Sequence, residues 1–294
     1  MKAIVLSGGG DKVHYQIGAL DALMGDQKEK YDILCGVSCG ALVAAYFAQY
    51  KIGQEDAALI CAKRMFNQIV AGSIYKRWFP FGKLHGVLGK PGLLNADPLR
   101  KLISRNLDQQ RVRESGRKLR IGATSLTTGV YHLFTEQSDP LKGIVYASAA
   151  FPGMFQPAEF AGGLWTDGGL RTVTPIQAAI DAGAEEVDIV MCSPQKPQPS
   201  FDPKPNAVSV ILRSVDIMME QIIEDDLKVA RMYNRLCAAG LAKKKKHIKF
   251  RLVRPELPLG DGDPLSFDRA DTEPMQHAGF QDAMDIQTLD AVGG

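Results

Sequence analysis

The sequence predicts an α/β fold, with a central, mainly parallel sheet and helices on both faces. Two observations carry this. Ala3-Ile4-Val5-Leu6 is a short apolar run ended by Ser7 and by Gly8-Gly9-Gly10, after which Ile17, Leu20, Leu23 and Met24 recur at helical spacing. Tyr31-Asp32-Ile33-Leu34-Cys35 then reads as a second, buried strand, and Ala41 to Ala48 as a helix. The chain thus opens strand, glycine loop, helix, strand, sharp turn, helix. That alternation implies a parallel sheet covered by helices. With 294 residues the chain can bury a sizeable core. No stretch looks like a linker, so a single domain over 1–294 is expected.

Residues 73–95 break the alternation. Tyr75, Trp78, Phe79 and Phe81 are mixed there with Lys76, Arg77, Lys83 and the breakers Pro80 and Gly82. A cap or loop is expected. Asp97-Pro98 starts a helix, with Asp as N-cap and Pro at the first helical position. Leu119 to Thr124 and Val130 to Phe134 are two strands around the Thr127-Thr128-Gly129 turn. Asp139-Pro140 caps a helix running to about Ala150, and Thr174-Pro175 caps another ending near Gly183. Val187 to Cys192 is a buried strand, followed by an extended loop at Pro194, Pro197, Pro199, Pro203 and Pro205. From Ala207 to Leu241 one long amphipathic helix is expected, with Ile211, Val215, Met218, Ile222 and Val229 on one side. Glu220, Glu224, Asp225 and Lys228 lie elsewhere on it. Lys243 to Lys246 is a basic run at its end. Ile248 to Val253 is a last strand, and Asp271 to Leu289 a closing helix.

Composition narrows the function classes. A hydrophobic content of 45% and a charged content of 23% are those of an ordinary globular chain. A net charge of +2 argues against a dedicated nucleic-acid binder. The cysteines Cys35, Cys39, Cys61, Cys192 and Cys237 show no CxxC or zinc spacing. They read as reduced core thiols, which points to a cytoplasmic setting. Met1-Lys2 leads straight into a strand, so no leader is expected, and the longest apolar runs are too short to span a bilayer.

The chemistry concentrates at Gly36-Val37-Ser38-Cys39-Gly40. This G-x-S-x-G lies between a strand and a helix, the context of a nucleophile elbow, and points to acyl transfer through a serine ester. A serine nucleophile needs an oxyanion hole and a base. The Gly8-Gly9-Gly10 loop is the natural hole, with amides at a helix start. A dinucleotide fingerprint fails because Val13 stands where a third glycine is needed, and no Walker sequence follows. For the base, a histidine is the usual partner. His14, His85, His132, His247 and His277 read as structural or surface residues, although His247 or His277 would complete a Ser-His-Asp arrangement. Asp167, ahead of Gly168-Gly169 at a strand end, can accept the proton if held close to Ser38 in a partly dry site. Asp-Gly-Gly is also ordinary turn chemistry.

Taken in order, the glycine loop Gly8-Gly9-Gly10-Asp11-Lys12, the Ser38 elbow and Asp167-Gly168-Gly169 resemble the patatin-like phospholipase family in its bacterial, single-domain form. Ala147 to Pro157 is similar to the stretch before the family's Asp-Gly-Gly. Arg213-Ser214-Val215-Asp216 and Asp225-Asp226-Leu227 resemble its late helix, and Gly279-Phe280-Gln281-Asp282-Ala283 its last one. The resemblance implies a Ser38–Asp167 dyad without histidine. It also implies an oxyanion hole from the amides of Gly9, Gly10 and Asp11, with Lys12 as the family's basic residue beside that loop. Gly8, Gly36, Gly40, Gly168 and Gly169 support the motifs. Two positions depart from the pattern. Val13 replaces a glycine, and Val173 stands where the family carries Asn before Pro.

The implied activity is lipid acyl-ester hydrolysis of the phospholipase A or lysophospholipase type, with no metal or organic cofactor. The alternative is a catalytically weak lipid-binding or regulatory protein that keeps the fold. Tyr75, Trp78, Phe79 and Phe81 beside the bases of the cap would suit contact with a lipid surface. Filling the core is the alternative role for those aromatics.

Overall fold

The computed structural model describes residues 1–79, 89–196, 206–241, 247–260, 263 and 265–289. Phe81, Lys83, His85, most of the proline-rich loop and Lys243 to Lys246 lie outside these residues.

The first half of the chain supplies β1 (Lys2–Leu6), α1 (Val13–Leu20), β2 (Ile33–Gly36), α2 (Cys39–Phe47), α3 (Glu55–Phe66), α4 (Ala71–Ile74), α5 (Asp97–Asn106) and α6 (Gln109–Glu114). Then come β3 (Lys118–Ser125), β4 (Tyr131–Thr135), α7 (Leu141–Ser148), β5 (Ala158–Phe160) and β6 (Gly163–Asp167). The last elements are α8 (Ile176–Asp181), β7 (Glu186–Val190), α9 (Ala207–Ala238), β8 (Lys249–Val253), α10 (Arg269–Met284) and β9 (Gln287–Thr288).

The sheet runs β5-β6-β3-β2-β1-β7-β8-β9, with β4 paired to β3. The five central strands are parallel, and the antiparallel pairs lie toward the two edges. Successive side chains of a strand point to opposite faces. Ile4 and Leu6 therefore enter one core, with α1, α2, α3, α5, α7 and α10, while Ala3 and Val5 enter the other, with α8 and α9. Both faces are covered, as the alternation predicts. α1 and α10 cross at their glycines: a Cβ on Gly279 would lie 2.0 Å from the Tyr15 carbonyl oxygen. The Tyr15 hydroxyl donates to Asp282 at 2.7 Å.

One feature of the pairing positions the site. On one edge β3 pairs with β4 from Arg120 to Thr124. On the other it pairs with β2 only as far as Gly36 opposite Ile121, and β6 takes over with Asp167 opposite Ala123. β2 runs up this edge and β6 runs down it, so the ends of the two strands meet head to head.

Several expectations are corrected. The buried side of α9 is formed by Ile223, Leu227, Ala230 and Asn234, whereas Ile211 is 63% and Met218 55% exposed. The apolar stripe read from the sequence therefore faces largely outward. The inner face, Ile223, Leu227 and Ala230, packs in the second core beside α8, and Asn234 bonds both backbone groups of Ile248 just before β8. α10 stops at Met284 instead of Leu289, because Gln287 and Thr288 pair with β8. Asp97 is the first residue of α5 and not its cap; Asn95 accepts the Asp97 N–H at 2.8 Å. Cys61 is exposed rather than a core thiol. No helix among the described residues is long and apolar enough to cross a membrane.

Candidate active site

Ser38 sits at φ 57° and ψ −127°, in the left-handed region that L-residues rarely adopt. The elbow is forced into this shape by close packing: a Cβ on Gly36 would lie 2.2 Å from the Gly40 carbonyl oxygen. Such strain costs on the order of 1–3 kcal/mol and persists only where the surroundings fix it. Here part of the fixing is done by Ser148 of α7, whose Oγ accepts the Ser38 N–H at 3.0 Å. Sequence reasoning gave Ser148 no role. Its signal was a polar residue inside the apolar Ala147-Ser148-Ala149-Ala150 run. Ser38 is not exposed to bulk solvent. It is 8% accessible and lines a cavity of about 490 Å³.

Asp167 ends β6 and is 1% exposed. Its Oδ1 accepts the Gly169 N–H at 2.8 Å, so the turn geometry is real. Oδ2 is buried and accepts no hydrogen bond among the described residues. Burial pushes the carboxyl up to about 7, against the opposing influence of the Gly169 amide and the nearby Ser38 hydroxyl. The Ser38 side chain is thus close enough to stabilise the carboxylate, while the contact falls short of full hydrogen-bond geometry. The pair read from the sequence is brought together, with one carboxylate oxygen uncommitted.

The glycine loop follows β1 and leads through a short 3₁₀ turn, Gly10–Lys12, into α1. Gly10 has φ +62°, which favours glycine. The Gly8 N–H is committed to the Val173 carbonyl at 3.0 Å. The amides of Gly9 and Gly10 donate to no group among the described residues. Gly9 lies tight on β7's end, since a Cβ there would be 2.5 Å from the Cys192 Cβ. Lys12 lines the cavity with its ammonium 3.3 Å from Asp11 Oδ1.

Both departures are accommodated by backbone. Val13 has φ −49° and ψ −34°, ordinary helix that a branched residue adopts. Val173 is buried and works through its peptide groups, accepting from Gly8 and donating to Asp226 Oδ2 at 3.0 Å. Burial also raises the Asp226 carboxyl, to about 7.

The cavity has an apolar side built by residues such as Leu42, Ile69, Leu99, Phe155 and Phe267. Arg213, Asp216 and Glu220 of α9 add charge to its lining, with Arg213 3.2 Å from Glu220. None of the four described histidines lines it. His14 is buried, and burial lowers it to about 4; His247 and His277 are exposed. His132 stands edge-on to Trp165 at 4.9 Å. Of the cap aromatics, Tyr75 packs on Phe155 and donates its hydroxyl to the Leu265 carbonyl. Trp78 donates its indole N–H to Gly92. Phe79 is 90% exposed.

A strained serine, a buried carboxylate and a glycine loop around an apolar cavity are parts suited to ester hydrolysis. The sequence model of the patatin-like phospholipase family matches residues 4–180, more than half of the chain. The chain belongs to the patatin-like phospholipase family.

Its relatives include the uncharacterised protein YjjU of Escherichia coli, 24% identical over 201 residues, covering 66% of this chain and 52% of YjjU. An uncharacterised NTE family protein of Mycobacterium tuberculosis is 25% identical over 209 residues, covering 70% of this chain and 53% of its own. This patatin-like chain thus spans about half the length of the curated relatives it matches. Among solved structures, VipD from Legionella pneumophila aligns with a TM-score of 0.41 and 13% identity, over 98% of this chain and 67% of VipD. The patatin-like match contains the glycine loop, the elbow and Asp167.

Proposed function

We propose that the protein hydrolyses acyl esters of glycerophospholipids, as a phospholipase A or lysophospholipase, with Ser38 as nucleophile and Asp167 as base. The observation that carries this reading is the uncommitted buried oxygen of Asp167 beside the strained Ser38 at the cavity. Ser38 Oγ attacks the ester carbonyl as Asp167 takes its proton. The tetrahedral oxyanion is received by the loop amides, of which Gly9 and Gly10 are uncommitted. Asp167 returns the proton to the departing alcohol oxygen. Water then gives a proton to Asp167 and attacks the acyl-serine, and the proton passes back to Ser38 as the fatty acid leaves. The apolar side of the cavity suits the acyl chain.

The test is direct. A fluorophosphonate probe is expected to label the protein once, on the peptide carrying Ser38, and lysophospholipid or diacyl phospholipid is expected to release free fatty acid. Labelling elsewhere, with no acyl release, would sink the assignment.

Contact with the lipid surface is assigned to Phe79. Phe79 is 90% exposed and follows Lys76 and Arg77 closely in the chain, whereas Tyr75 and Trp78 hydrogen-bond to the Leu265 and Gly92 carbonyls. Burying one such side chain is worth about 1.5–3 kcal/mol, so Phe79→Ser should weaken binding to anionic vesicles roughly 10-fold or more. Hydrolysis of a soluble p-nitrophenyl ester should hold. Equal losses in both assays would make Phe79 structural.

A further inference from the structure

Asp226 Oδ2 accepts two backbone amides, Val173 N–H at 3.0 Å and Thr174 N–H at 2.8 Å. The Thr174 N–H and the Val173 carbonyl belong to one peptide unit. That carbonyl in turn accepts the Gly8 N–H at 3.0 Å. One rigid peptide plane is therefore clamped between a carboxylate on α9 and the first glycine of the oxyanion loop. Both residues of that plane are 1% exposed, so water does not substitute freely for the carboxylate. The packing is equally tight. A Cβ on Gly8 would lie 3.3 Å from the Ser38 Cβ and 3.5 Å from Val173 Cγ1.

We propose that Asp226 is a positioning residue: it fixes the Val173–Thr174 peptide, which fixes Gly8, and so sets where the Gly9 and Gly10 amides stand relative to Ser38. This rests on the catalytic reading above and extends it to a residue outside the reacting groups. It also gives a structural role to the position where Val173 departs from the family pattern. With no Asn side chain at 173, the hydrogen bonds that hold the segment run through its backbone, to a carboxylate on α9, while the Val173 side chain packs in the core. Hydrogen bonds in such a chain polarise and strengthen one another, so loosening the first link weakens the last.

The experiment compares wild type, Asp226→Ala and Asp226→Asn, each checked for folding by thermal melt. Misplacing oxyanion donors costs transition-state stabilisation more than substrate binding. Asp226→Ala is therefore expected to lower kcat on a soluble ester by about 10- to 100-fold, at the low side of what losing one oxyanion donor does, with KM within about twofold. Asn keeps an acceptor oxygen at the same reach and is expected to restore kcat to within about threefold, because that oxygen has lone pairs for both amides. If Asp226→Ala fails to fold, Asp226→Ser takes its place, being too short to hold both amides. A folded Ala or Ser variant with wild-type kcat, or an Asn variant as impaired as Ala, overturns the proposal. Amide hydrogen exchange at Gly8, which Asp226 does not touch, gives a second readout. It should accelerate in the Ala or Ser variant and stay near wild type in Asn. Exchange at Gly8 unchanged in the Ala or Ser variant overturns the relay, whatever the activity. If wild type lacks Ser38-dependent hydrolysis, the catalytic reading fails, and the exchange experiment still decides the anchor.

Discussion

Replacing Asp167 by Asn is expected to remove ester hydrolysis and, at pH 8, to make the fold more stable. Asn keeps the shape and the acceptor for the Gly169 N–H but cannot take a proton from Ser38. The loss in kcat/KM should be at least about 100-fold, the low end for a general base. The stability change follows from burial. The carboxyl sits at about 7 in the folded chain against 3.8 as its ordinary value. The folded state thus holds the proton more tightly than the unfolded one. Stability from this group is greatest at low pH, falls as pH rises from about 4 to 7, and is lowest above 7. The full cost of the charge is about 4 kcal/mol at pH 8, from three pKa units at 1.36 kcal/mol each. Asn carries no charge at any pH. Its melting temperature should exceed wild type at pH 8 and converge on it near pH 4. The same titration sets the rate. Wild-type kcat/KM should rise with pH and level off above about 7, as the carboxylate forms. Melts at two pH values and one pH–rate profile check both halves. A variant that is less stable at pH 8 while still active would remove Asp167 from the mechanism.

Ser38→Ala should cut turnover on the order of 10⁴-fold or more, in the range seen when a serine hydrolase loses its nucleophile. The fold should barely respond. The hydroxyl opens on a cavity, and Ala suffers the same positive φ as Ser, so no new strain arises. The Ser38 N–H keeps its bond to Ser148. Phosphonate labelling should vanish together with acyl release. Hydrolysis persisting in the purified variant would overturn the nucleophile assignment, and a large fall in melting temperature would show that the hydroxyl also holds the elbow.

What was legible in the letters was local. The elbow is written in glycines because a Cβ at Gly36 or Gly40 would strike backbone, and the loop because one at Gly9 would strike the Cys192 side chain and Gly10 has φ +62°. A collision of this kind fixes residue identity within a few positions, so it shows in sequence. The strands of the parallel core were legible as apolar runs because both of their faces are buried. The faces of α9 were not. Its stripe of Ile211, Met218 and Val229 has the period of a buried face, yet the helix is turned so that Ile223, Leu227 and Ala230 pack beside α8 in the second core. β5 and β9, with three and two residues, are too short to carry a period. The roles of Ser148 and Asp226 depend on which distant backbone amides arrive beside them, and nothing near either residue encodes that.

The head-to-head meeting of β2 and β6 on one edge of β3 has an evolutionary consequence. The gap between nucleophile and base is counted in backbone repeats of a single strand, from Ile121 to Ala123. It is not measured along the connecting chain. The tip from Leu126 to Val130 is exposed, and with β4 and α7 it lies on the connection between β3 and β6. That connection can lengthen or shorten over generations while the spacing of the pair stays as β3 rules it. One residue gained or lost within Gly122 to Ser125 would shift β6 along the edge and turn Asp167 to the other face of the sheet.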